Sequence, residues 1–136
     1  MMIEYNVEHN LKVEEFKEVL VNSTLGNRRP IENLDTLKKM VEMGNLIITA
    51  RHNGKLIGVS RSLSDFSFCT YLSDLAVDLK YQKKGIGKEL IRRTKMEAPE
   101  AKLILLAAPE AIPYYPKIGM TQYEHCYYLD KIQNLI

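Results

Sequence analysis

From Ile3 to Glu8 apolar and polar residues alternate, the two-residue period of a half-buried strand. The period then changes. Val13, Phe16, Val19 and Leu20 fall on one face, with Lys12, Glu14, Glu15, Lys17 and Glu18 opposite, which predicts an amphipathic helix capped by Asn10. Asn22 to Pro30 is polar, holds Gly26 and ends in Arg28-Arg29-Pro30, so it reads as a loop. A second helix is expected from about Asn33, with Leu34, Leu37, Met40 and Val41 as its apolar stripe and Gly44 as its C-terminal cap. Leu46 to Arg51 and Lys55 to Leu63 have strand character. Between them lies Asn53-Gly54, a hairpin signal because both turn positions need positive φ. Ser64 to Ser67 reads as a turn, and Phe68 to Val77 as the next strand.

Beyond Val77 the chain runs through Gln82-Lys83-Lys84-Gly85-Ile86-Gly87 into another amphipathic pattern. Ile86, Leu90 and Ile91 face inward there, Lys88, Glu89, Arg92 and Arg93 face outward, and Pro99 ends the helix. Leu103 to Ala107 is a short apolar run, as expected of a strand buried on both faces. Three prolines between Pro109 and Lys117 forbid a long helix, so one or two helical turns with an irregular end are expected, closed by Gly119. Thr121 to Leu129 reads as a final strand. The order β-α-α-β-β-β-α-β-α-β predicts an α/β (α+β) fold, a mixed sheet with helices on its faces.

Composition narrows the class. A chain of 136 residues is expected to form one domain, residues 1–136. A net charge of +2 argues against a general nucleic-acid surface; the basic residues cluster instead at Lys80 to Lys88 and at Arg92-Arg93. Cys69 and Cys126 have no metal-ligand spacing and read as two buried free thiols in a reducing compartment. The start has no basic region with an apolar core behind it, and no apolar run approaches the ~20 residues of a membrane span. A soluble, cytoplasmic protein is the expectation, with no membrane partner and no metal.

The chemistry centres on Gln82 to Lys88. A strand that passes to a helix through a glycine turn exposes several backbone N–H groups at one point, and the helix dipole adds positive potential. Glycines at 85 and 87 let a ligand approach the backbone. Lys83, Lys84 and Lys88 add charge for phosphate oxygens. The same residues also suit a tight turn into a packed helix. The third glycine of a dinucleotide fingerprint and the Gly-Lys-Ser/Thr of a P-loop are both missing, which argues against another nucleotide.

Three features together resemble the GCN5-related N-acetyltransferase (GNAT) superfamily. Leu75-Ala76-Val77 followed by Gln82-Lys83-Lys84-Gly85-Ile86-Gly87 is similar to the family's strand and its Gln/Arg-x-x-Gly-x-Gly/Ala signature. Ala111-Ile112-Pro113-Tyr114-Tyr115-Pro116-Lys117-Ile118-Gly119-Met120 is similar to its Ala…Phe-Tyr-x-Lys-x-Gly-Phe segment. The element order also matches. The resemblance implies a mostly antiparallel sheet that splays at the strand ending near Val77. It implies acetyl-coenzyme A as cosubstrate, with the pyrophosphate on Gln82, Lys83, Lys84, Gly85, Ile86, Gly87 and Lys88. The pantetheine arm would pair with backbone groups of Leu75, Ala76 and Val77, which a bulge leaves free. Tyr115 matches the tyrosine that protonates the departing thiolate, with Tyr114 as the alternative. Ala108 stands close to where many members carry an asparagine.

The implied activity is transfer of an acetyl group to a primary amine of a small molecule or peptide by direct attack in a ternary complex. The base is open. Tyr71 and Ser73 stand where some members place a glutamate, Asp74 is the nearest carboxylate, and Asp65, His125 or water are alternatives. Arg28, Arg29 and Arg61 suggest a carboxylate on the acceptor, and Asp65 and Asp74 its amine. A homodimer is one option the resemblance brings. The missing glutamate also motivates a second reading, a coenzyme A-binding sensor or regulatory module without efficient catalysis.

Overall fold

The computed structural model describes all 136 residues, which divide into two units, Met1–Leu106 and Ala107–Ile136. In the first unit five strands pair in sequence order: β1 (Glu4–Val7), β2 (Leu46–His52), β3 (Lys55–Ser64), β4 (Cys69–Val77) and β5 (Lys102–Ile104). Every pairing is antiparallel except β4 with β5. The β2–β3 hairpin turns at Asn53 and Gly54 with φ of 51° and 82°, as the sequence pair predicts. Helices α1 (Val13–Ser23) and α2 (Leu34–Met43) cover one face, and α3 (Ile86–Glu97) covers the other.

Each face has its own core. Phe16, Val19, Leu20 and Leu37 of the first two helices pack on Ile47, Leu56, Val59 and Ala76. Ile86 and Leu90 of α3 pack on Leu46, Ile48, Ala50 and Ile57. Each Leu, Ile, Val or Phe among them contributes roughly 1.5–3 kcal/mol by leaving water. Gly58 sets the approach of α3: a Cβ there would meet Ala50 at 3.3 Å, Leu90 at 3.3 Å and Ile86 at 3.4 Å. Thr94, one turn beyond Leu90, bonds Ser60 of β3 at 2.8 Å and continues the contact with polar atoms.

Several local expectations change. The residue before α1 is Lys12, and no side chain caps that helix, so Asn10 lies outside it. Asn33 does cap α2, accepting the Thr36 N–H at 3.2 Å. The stretch read as a loop from Asn22 holds the last residues of α1 and a 3-10 turn, Leu25–Arg28. β5 is three residues long, and Ile104 and Leu106 are half exposed, so it is an edge strand rather than a doubly buried one. Cys69 and Cys126 are free but exposed; Cys69 opens β4 at the end of the β3–β4 turn. A network of Arg51 with Glu8 and Glu15 ties β2 to the ends of β1 and α1.

The second unit has a 3-10 turn at Pro109–Ala111 and a single helical turn, α4 (Tyr114–Lys117), closed by Gly119 at φ 97°. Thr121 to Leu129 forms no strand. Residue type alone does not make one, because a strand needs a ladder partner for its N–H and C=O groups, and this unit contains no other strand. Tyr123, Tyr127 and Tyr128 are exposed there.

Candidate active site

β4 carries the features from which a site is built. Its register against β3 slips between Leu72 and Asp74: Ser62 faces Leu72, and the next residue, Arg61, faces Asp74. Ser73 is therefore the extra residue of a β-bulge. The bulge exchanges the faces of the strand. Leu72, opposite Ser62, lies on the α3 side, whereas Asp74 and Ala76 lie on the side of α1 and α2. Alternation without a bulge would have put Leu72, Asp74 and Ala76 on one face.

On its other edge β4 pairs with β5 only from Cys69 to Tyr71. From Leu72 to Val77 that edge has no neighbouring strand, and this is the splay the resemblance implies. The Asp78 N–H donates to the Ile57 carbonyl of β3 at 2.8 Å. Backbone alternation then turns the groups of Leu75 and Val77 to the open edge and those of Ala76 toward β3. Gln82 donates its side-chain amide to the Val77 carbonyl at 2.9 Å, which folds the following loop back against the strand end.

Asp78 shapes that loop. It is buried and caps a 3-10 turn, Leu79–Tyr81, by accepting the Lys80 N–H at 2.9 Å. Tyr81 bonds His52 Nδ1 through its hydroxyl at 2.7 Å. Neither contact was expected from sequence, although an aspartate placed before a short turn is a capping signal. Lys83 and Gly85 then take positive φ, 63° and 82°. Gly85 leads into α3 with no side-chain cap, and the first helical bond is Glu89 N–H to the Gly85 carbonyl at 3.0 Å. The N–H groups from Lys83 to Lys88 have no acceptor within the chain. A Cβ at Gly85 would meet nothing within 4 Å, so the space beside these amides is open. Lys83, Lys84 and Lys88 are exposed around it. This arrangement suits a polyanion such as pyrophosphate.

Asp74 is wholly buried, and each carboxylate oxygen is taken by an arginine: Arg29 Nε donates to Oδ1 at 2.5 Å, and Arg61 Nε donates to Oδ2. Arg29 also donates to the Ser73 carbonyl at 2.8 Å. Arg61 donates to the Met40 carbonyl at 3.1 Å and to Ser73 Oγ at 3.0 Å. The structure thus brings Arg29, Arg61 and Asp74 together, bonded to one another. Asp65 lies apart, in the exposed β3–β4 turn. Its Oδ1 accepts the N–H groups of Ser67, Phe68 and Cys69. The bonds from Phe68, Ser67 and Cys69 hold its carboxyl down at about 2.

Tyr115 belongs to the second unit, in α4, and is half-buried. Burial pushes its hydroxyl pKa above the usual 10, and Tyr114 adds to the rise. The two rings meet edge-to-face at 5.2 Å. His125 is exposed and stacks edge-on with Tyr123.

Comparison with known proteins agrees with this architecture. Residues 12–133 match the model of the acetyltransferase (GNAT) domain, a span that includes parts of both units. An uncharacterized N-acetyltransferase of Pyropia yezoensis is 28% identical over 75% of this chain, and the match spans 61% of that relative's length. Among solved structures, a GNAT-family acetyltransferase from Streptococcus pneumoniae superimposes with a TM-score of 0.77 at 21% identity, covering 96% of this chain and 98% of that one. An aminoglycoside N-acetyltransferase in complex with CoA superimposes with a TM-score of 0.72 at 13% identity, covering 96% of this chain and 95% of that one. With its sheet open beside Leu75 and Val77 and its matched domain model, the chain belongs to the GNAT family of acetyltransferases.

Proposed function

We propose that the protein transfers an acetyl group from acetyl-coenzyme A to a primary amine of a small molecule or peptide, by direct attack in a ternary complex. One observation carries this reading. The unpaired edge of β4 leads, through a loop pinned by Gln82, to a run of free N–H groups at the start of α3. Such a path offers amide groups for a pantetheine arm and, beyond them, donors for a pyrophosphate. A CoA complex of a structural neighbour supports the same cosubstrate.

In this reading the amides from Lys83 to Lys88 and the side chains of Lys83, Lys84 and Lys88 take the pyrophosphate. Leu75 and Val77 offer backbone groups to the arm, and Ala76 spaces them. The amine nitrogen attacks the thioester carbonyl, forming the N–C bond. The C–S bond breaks, and the thiolate accepts a hydrogen bond or a proton from the Tyr115 hydroxyl. The proton lost by the amine passes to water, which restores any proton Tyr115 gave up. A thiol has a pKa near 8.5 and a phenol near 10, and burial raises Tyr115 further. Hydrogen-bond donation therefore contributes more than full transfer.

Arg29, whose side chain keeps 22% of its surface, is the cation we assign to an acceptor carboxylate. Arg61 and Asp65 shape the acceptor side through their own bonds. Both units act as one domain in this proposal, and the setting is cytoplasmic with reduced thiols. No helix is long and apolar enough to cross a membrane.

The engagement of both Asp74 oxygens by arginines favours the sensor reading as the alternative, since it leaves β4 without a free carboxylate. Thiol release from acetyl-coenzyme A, followed across a panel of amines, separates the two. Amine-dependent release is expected. Binding of acetyl-coenzyme A without release by any amine contradicts the enzyme and supports the sensor.

A further inference from the structure

The Arg29–Asp74–Arg61 cluster lies where four pieces of chain meet: the residue after the 3-10 turn Leu25–Arg28, the last turn of α2, β3 and the β4 bulge. Its bonds do not spread evenly. Three of them end on Ser73 or Asp74, at the bulge, besides the Arg61 pair itself: Arg29 to Asp74 Oδ1, Arg29 to the Ser73 carbonyl and Arg61 to Ser73 Oγ. The bulge is also the point at which β4 changes faces and past which its outer edge is open. Gly44 keeps room for the clamp. A Cβ there would stand 2.8 Å from Arg61 Cγ.

We propose that Asp74 is a positioning residue: with Arg29 and Arg61 it locks the Ser73 bulge, and so sets which backbone groups of Leu75 to Val77 face the acyl-coenzyme A arm. The proposal rests on the reading of this edge as the cosubstrate site. A buried carboxylate with an arginine on each oxygen is secluded from an acceptor amine, yet it directly precedes Leu75 on the open edge. The lock needs an acceptor on both sides. Asn at 74 can accept from one guanidinium only, and its NH2 group opposes the other donor. It also leaves the buried Arg61 guanidinium and the partly exposed one of Arg29 without a counter-charge.

The test is steady-state kinetics of Asp74→Asn and Arg29→Gln, with pH profiles of kcat/KM. Arg29→Gln removes the partly exposed half of the clamp and keeps the Arg61 pair, so it reports even where Asp74→Asn does not fold. For the positioning role we expect a rise of about tenfold or more in KM for acetyl-coenzyme A and a fall in kcat/KM of up to about 100-fold, of the size a small misplacement causes. The acidic limb of the pH profile should stay where it is in the wild type. Arg29→Lys, whose single nitrogen replaces the planar two-nitrogen fork that reaches Asp74 and the Ser73 carbonyl, should not restore KM. Loss of the acidic limb with unchanged KM would make Asp74 the base and overturn the proposal. Lower thermal stability with wild-type KM and kcat would also overturn it, by reducing the clamp to a fold contact. If the wild-type protein does not bind acetyl-coenzyme A by calorimetry, the reading of the edge fails first and the positioning role falls with it.

Discussion

In the proposed reaction Tyr115 acts at the departing thiolate. Its raised pKa keeps the hydroxyl protonated across the neutral range, so it enters any reaction as a donor. A donor that acts as the thiolate leaves is used in the transition state and not in cosubstrate binding. Tyr115→Phe should therefore lower kcat by about 10²-fold with calorimetric affinity for acetyl-coenzyme A unchanged; an undiminished rate rejects the role. Asp74 is the contrasting case. Its residue type suggests a base, but its partners are two arginines and its surface is zero. The sequence makes the carboxylate visible inside an apolar strand. It does not show that Arg29 and Arg61, 45 and 13 positions away, close on it.

Elements were legible in proportion to how local their causes are. The Asn53-Gly54 hairpin, and Ile86 and Leu90 of the stripe expected on α3, depend on neighbours within a few positions and stand as read, while Ile91 of that stripe is only half-buried. The Ser73 bulge depends on the register between two strands, which no short window contains. The strand expected from Thr121 to Leu129 failed for the same reason: its residue pattern is right, but a ladder partner is not a local property. Charge pairs within elements also set the acid limit. Hydrogen bonds from Arg92, then Arg93, outweigh partial burial and hold Glu89 on α3 down at about 2, against an ordinary 4.5. Asp65 in the β3–β4 turn is likewise held at about 2, against 3.8. A folded pKa below the unfolded one gives stability that is complete above the unfolded value and is lost as pH falls through the folded one. Thermal melts should thus show a flat Tm above about pH 5 and a decline between about pH 4.5 and 2. A Tm that rises on acidification over that window contradicts these assignments.

At the scale of the whole molecule, two cores on opposite faces of one sheet hold β4 between them. The same strand is paired along β3 and unpaired beyond Tyr71 on the other side. That asymmetry lets a stable sheet keep backbone groups available, and the proposed cosubstrate site depends on it. The most direct measurement is a titration of acetyl-coenzyme A into the isotope-labelled protein, followed by backbone amide NMR shifts. Saturable binding is predicted, with the largest shifts at Leu75, Val77 and the amides from Lys83 to Lys88. Absence of saturable shifts, or shifts centred instead on the outer faces of α1 and α2, would contradict it.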